Sequence, residues 1–228
     1  MDWSYAHEKP RLLRDFHKFM GNALPVLSDR FGDDSSERIQ NLAQARFEEV
    51  IPEIPYVGGK KNQFSEELEM SAMSLALYFV LKEKGLTTEE IGRINYDIFE
   101  AIYSKTPGYF LSFMKRFIFS RFSKRRLKQA SERSQRREYP DDWVVEYLDG
   151  TDNDFDIGLD FTHCALCSFY ESQGAFEFAK YMCLIDYIPS KMIDSGLERS
   201  STIAEGAVRC DFRYKKGRPV RPRWPTPA

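Results

Sequence analysis

The apolar residues of this chain first change their period at 138–143, and that change limits what the chain can fold into. Up to residue 137 they recur every three or four positions, the spacing of helices with one face in a core. Beyond it, "FDIGLDF" alternates without a fault: Phe155, Ile157, Leu159 and Phe161 fall on one face, Asp156, Gly158 and Asp160 on the other. Such alternation marks a half-buried strand. "WVVEYLDG" just before it reads as a second strand, and the turn-forming "DGTDND" between them makes the two a hairpin.

In the helical part, Pro10 suits the first turn of a helix carrying Leu12, Leu13, Phe16 and Phe19. Ser36 is expected to cap a second, with Ile39, Leu42, Ala43 and Phe47 on one face. "VIPEIPYVGGKK" is a connection, and Ser65 opens a third helix. Thr87 and Glu90 form a capping-box pair for a fourth, which ends near "SKTPG". A fifth is expected to run from about Tyr109 into "SKRRLKQASERSQRRE".

After the hairpin, 163–173 return to helical spacing, Gly174 breaks the run, and a second helix is expected to about Tyr187. Two further strands, "LERSSTIA" and "VRCDFRY", should meet at Glu205 and Gly206. In the latter, Val208, Cys210, Phe212 and Tyr214 share a face, while Arg209, Asp211 and Arg213 share the other. The proline-rich basic tail, 216–228, is expected to be mostly disordered. The fold class is therefore α+β. A helical N-terminal half, 1–137, precedes a module at 138–215 in which a small antiparallel sheet is packed by a helix pair.

Composition narrows the function classes. With 30% charged residues, a net charge of -2 and no basic, apolar leader, the chain reads as a cytoplasmic globular protein. The most apolar stretch, "MSAMSLALYFVL", is too short to span a bilayer, so no membrane partner is expected. The run 115–137 holds ten Lys or Arg against Glu132 alone, but acidic "DDWVVEYLDGTDNDFD" follows at once, so nucleic acid is not an expected partner. The aromatic content of 14% leaves room for a homo-oligomer. Walker, dinucleotide-binding, zinc-protease and serine-hydrolase signatures do not occur in the sequence.

The cysteines are Cys164, Cys167, Cys183 and Cys210. In a reducing compartment they read as thiols; they could line a small-molecule site, pack as small apolar groups, or hold zinc, with His163 as a substitute ligand. The spacing lacks the second CxxC of a zinc ribbon and does not decide among these. Around the second hairpin stand Arg199, Thr202, Glu205, Asp211 and Arg213, a set that suits either a carboxylate-binding site or a solvated hairpin.

Three motifs run in order here: T-x-C at Thr162 to Cys164, C-x-x-D-Y at Cys183 to Tyr187, and R-x-x-T-x-A-x-G-x-x-x-C-D-F from Arg199 to Phe212. Together they make this part of the chain resemble the L-2-amino-thiazoline-4-carboxylic acid hydrolase family. The resemblance implies a hydrolase that opens the ring of 2-amino-thiazoline-4-carboxylate on a route to cysteine. Such chemistry asks for an anchor, a nucleophile or base, and an acid. Arg199 is the expected carboxylate anchor, with Arg213 in reserve. Cys164, where strand meets helix, is the expected nucleophile. Asp186 or Glu205 would act as acid and base, Thr202 would supply a hydrogen bond, and Cys183 and Cys210 would flank the pocket. This reading requires no cofactor. Two rivals are a non-catalytic binding or sensing module and a thiolate metal protein.

Overall fold

The computed structural model describes residues 5–150, 154–220, 222 and 224. Helix α1 (Lys9–Phe31) buries Leu12, Phe16, Phe19, Met20, Ala23 and Leu27, one stripe at helical spacing, with Pro10 in its first turn. Helix α2 (Asp33–Val50) follows after Gly32 alone, whose φ of 77° lets the chain reverse in one residue. Ser36 therefore does not cap α2. It sits buried one turn in and donates to the Gly32 carbonyl at 2.8 Å. Leu42, expected in the core, is exposed on the outer side of α2.

Helix α3 (Ser65–Glu83) is buried on almost every side and forms the centre of the molecule. Helix α4 (Thr88–Ser104) starts with the expected capping box of Thr87 and Glu90. It crosses the later helix α8 (Phe176–Met182) at Gly92, where a Cβ would lie 2.3 Å from the Tyr181 ring. The expected fifth helix is two, α5 (Gly108–Phe117) and α6 (Arg121–Ser134), because Ser120 turns extended and caps α6 by accepting from the Ser123 amide. No residue of α5 is buried. Among the described residues no helix is long and apolar enough to cross a membrane.

Strands β1 (Val144–Asp149), β2 (Ile157–His163), β3 (Leu197–Glu198) and β4 (Cys210–Tyr214) form one antiparallel sheet in the order β1-β2-β4-β3. The expected turn "DGTDND" lies partly outside the described residues, at 151–153. The edge of β1 does not face water. Ser131 donates to the Val145 carbonyl and accepts from the Tyr147 amide, while Ser134 and Gln135 also bond to Val145. Side chains of α6 thus stand where another strand would pair, which protects the edge.

Strand β2 is buried on both faces, not one. Asp160, on the face expected to be wet, is held by Arg213 at 2.6 Å and Arg209 at 3.2 Å. Phe155, which precedes the strand, folds onto that same outer face against Gly158 and under Arg213, away from Ile157 and Leu159. The second hairpin is also irregular. Asp211 accepts from the amides and hydroxyls of Ser200 and Ser201, so 199–209 form a loop around this carboxylate instead of a ladder, and Val208 is left exposed.

Between the hairpins lie α7 (Ala165–Ser172), α8, a 3-10 turn (Cys183–Asp186) and α9 (Tyr187–Met192). Of the tail, 221, 223 and 225–228 lie outside the described residues. Trp224 packs on Tyr96 and under Arg93 of α4.

Candidate active site

A cavity of about 290 Å³ opens between the sheet and the helices. Its floor is the inner face of β2 and β4, which the register makes continuous: Leu159 pairs with Phe212 and Phe161 with Cys210, and Tyr214 completes the row. Phe64, Glu67 and Met70 line it from the start of α3, Phe99 and Tyr103 from α4. Cys183, Ile185 and Asp186 come from the 3-10 turn, and Trp143 closes one side against Phe64, with ring centres 5.4 Å apart.

Cys164 enters from the junction of β2 and α7. It is the N-cap of α7 with extended backbone, and its side chain makes no capping hydrogen bond, so the sulfur stays beside the first turn and open to the cavity. The neighbouring Cys167 thiol acts on it most, followed by the Leu166 and Cys167 amides and the Trp143 side chain close by. These favour the thiolate enough to bring Cys164 below the ordinary thiol range although burial opposes it. Cys167 is pushed the other way, first by donating to Cys164 and then by burial, so it remains the protonated partner. Burial holds Cys183 well above its ordinary value and pushes Cys210 up to about 11. All four cysteines are free.

Two carboxylates share this cavity. Glu67 is exposed as a residue, but desolvation against the cavity wall, reinforced by the charges of Glu66 and Asp186, pushes its carboxyl up to about 7. Asp186, which also lines the cavity, is raised as well, because desolvation outweighs the help of Arg199. The same two charges act on Tyr103, which burial already keeps a neutral phenol.

Arg199 does not line the cavity. It lies behind Asp186, with its side chain 3% exposed, giving one nitrogen to Asp186 Oδ2 at 3.0 Å and another to the Cys183 carbonyl at 2.7 Å. The rings of Tyr187 and Phe212 cover it at 5.1 and 4.8 Å. That bond to Cys183 explains why the expected second helix loosens into a 3-10 turn: the carbonyl serves Arg199. Thr202 and Glu205 bond to each other at 2.9 Å beside a small crevice shared with Arg199 and Cys183. Arg213 is on the opposite face of the sheet, paired with Asp160.

Of the residues singled out in the sequence, Cys164, Cys183, Asp186 and Cys210 therefore meet in the cavity, Arg199 backs it, and Thr202, Glu205 and Arg213 stand apart. Among the described residues no group of three or more His, Cys, Asp or Glu is placed to hold a metal ion. His163 uses both ring nitrogens elsewhere, on the Asp142 carbonyl and the Ser168 hydroxyl. Sequence reasoning missed Glu67, Tyr103 and Trp143. The one available signal was "SEELEM", acidic residues leading into a helix too apolar to have a wet side.

No curated protein and no solved structure matches the chain. One family model does, described as L-2-amino-thiazoline-4-carboxylic acid hydrolase, over residues 66–214. That span begins in α3 and ends on the last residue of β4, so it takes in every residue that lines the cavity except Phe64. A match over more than half the sequence, coincident with the walls of its apolar cavity, shows that the chain belongs to the L-2-amino-thiazoline-4-carboxylic acid hydrolase family.

Proposed function

We propose that the protein is a thiol-dependent hydrolase of a small sulfur- and nitrogen-containing ring or a related amidine. The observation that carries the proposal is the placement of Cys164 at the head of α7, lining a cavity that also holds Glu67 and Asp186, in surroundings that lower its thiol. A nucleophile with thiolate character and carboxyl groups tuned towards neutrality are what such a reaction needs.

In the proposed reaction the Cys164 thiolate adds to the carbon that bears the ring sulfur, the ring nitrogen and the amine. The carbon–sulfur bond of the ring then breaks, and the departing sulfur takes a proton from Glu67, which is close to half protonated at neutral pH. This leaves an isothiourea on Cys164. Water adds to the same carbon, giving one proton to the Glu67 carboxylate and one to nitrogen, and Cys164 leaves as thiolate. The net change is the addition of one water, giving a urea and a free thiol. Arg199 acts through Asp186, holding that carboxylate against the cavity wall. The mechanism needs free thiols, which a reducing cytoplasm maintains.

The test is incubation of the full chain with L-2-amino-thiazoline-4-carboxylate and with 2-amino-2-thiazoline, followed by mass. Gain of one water by either compound, lost at least a thousandfold in Cys164→Ser, is the expected result. Binding without consumption of either would favour the non-catalytic module, and full activity in Cys164→Ser would reject the thiol mechanism.

A further inference from the structure

The ionisable groups facing the cavity are all acids: the carboxyls of Glu67 and Asp186, the phenols of Tyr103 and Tyr214, and thiols. Among the described residues that line it there is no lysine, arginine or histidine. The cation behind the wall, Arg199, gives its guanidinium to Asp186 and the Cys183 carbonyl and is packed against the rings of Tyr187 and Phe212. A ligand carboxylate would therefore leave water to meet two carboxylates and no counter-ion, which is costly in an apolar site. An amidinium offers the opposite match, because its planar N–H groups pair with carboxylates as a guanidinium does and its charge is favoured over aromatic faces.

Resting on the hydrolase reading of this site, we infer that its substrate is a cationic cyclic amidine with an uncharged, apolar ring substituent. Glu67 and Asp186 grip the amidinium as carboxylates, and when the Cys164 thiolate adds, Glu67 takes a proton from the amidinium nitrogen and holds it for the departing sulfur. The rings of Phe64, Trp143, Phe161 and Phe212 enclose the substituent. The amidinium then sits at the acidic end of the cavity. The target carbon is the amidinium carbon itself, so the groups that hold the charge also present that carbon to Cys164.

The experiment uses full-length Cys164→Ala, which cannot form the thiol adduct, titrated by calorimetry with 2-amino-4-phenyl-2-thiazoline and with L-2-amino-thiazoline-4-carboxylate. The expected result is at least tenfold tighter binding of the phenyl compound, with Glu67→Gln in the same background weakening it about tenfold and leaving the carboxylate's affinity unchanged or improved. Tighter binding of the carboxylate overturns the inference. So does phenyl-compound affinity that Glu67→Gln leaves unchanged while its circular dichroism is native. Mass measurements on wild-type protein separate this inference from the reading beneath it. A phenyl compound that binds tightly but never gains water leaves the cation site standing and removes the hydrolase. A carboxylate that binds tighter and gains water keeps the hydrolase and removes the cation site.

Discussion

Cys164 and Glu67 depart from their ordinary acidities in opposite directions, and each departure has a measurable consequence. The neighbouring Cys167 thiol is the largest influence that lowers Cys164. Cys167→Ala should therefore raise the Cys164 pKa and slow its alkylation by iodoacetamide at pH 7 several-fold. In wild type, peptide mapping should find Cys164 labelled before Cys183, Cys210 or Cys167, whose thiols are all pushed up. Glu67 binds its proton more tightly folded than unfolded, so between its ordinary value and about 7 the folded state holds the extra proton. Stability then falls as pH rises through that window, and Glu67→Gln should flatten the fall. The expected gain at pH 8 is about 1 kcal/mol, discounted because the carboxylate surface opens on the cavity. Urea unfolding at pH 5 and pH 8 measures it, and equal pH dependence in both proteins would contradict it. Cys164 was legible in the sequence because a strand-to-helix junction places a residue against unpaired amides. Glu67 was not, since a glutamate in the first turn of a helix ordinarily just complements the helix dipole. Its environment is made by Asp186 and Tyr103, which only the folded chain brings near. Likewise the sequence shows Arg199 as a cation but not that Asp186 and the Cys183 carbonyl claim it.

At the level of elements, α6 closes the sheet. Ser131 carries two of the bonds that satisfy β1, so Ser131→Ala should leave the Tyr147 amide unpaired in a partly buried place. The expected cost is about 1–2 kcal/mol in urea unfolding, with an unchanged denaturant slope. A loss below about 0.3 kcal/mol would mean that water reaches this edge. Elements with local causes were readable: the Thr87–Glu90 capping box, the opening of α3 and the alternation of β2. Elements with distant causes were not. The break between α5 and α6 turns on one serine within a strongly helical composition, and the second hairpin is reshaped by Asp211 drawing in Ser200 and Ser201. The outer face of β2 read as wet because nothing local shows that Arg209 and Arg213 will cover Asp160.

Across the whole molecule, helical and sheet parts wall one cavity. Cys164, Cys183, Asp186 and Cys210 come from the C-terminal module, whereas Glu67, Met70, Phe99 and Tyr103 come from helices of the first part. The three motifs spanning residues 162–212 could point to the former and to the family, but no pattern in the sequence joins them to α3 and α4. Helices α1 and α2 precede the family match and serve the site at one remove. They pack on α3, where Arg11 of α1 forks onto Glu69 at 2.8 Å from both oxygens. The central claim is that Cys164 attacks substrate across this shared cavity. Its most direct test is intact-protein mass spectrometry of wild type quenched in acid within one turnover of 2-amino-4-phenyl-2-thiazoline or L-2-amino-thiazoline-4-carboxylate. The account expects a transient gain of one substrate mass, mapped to Cys164, absent in Cys164→Ser and decaying as the hydrated product appears. Product formed with no adduct, at an equal rate in Cys164→Ser, would contradict it.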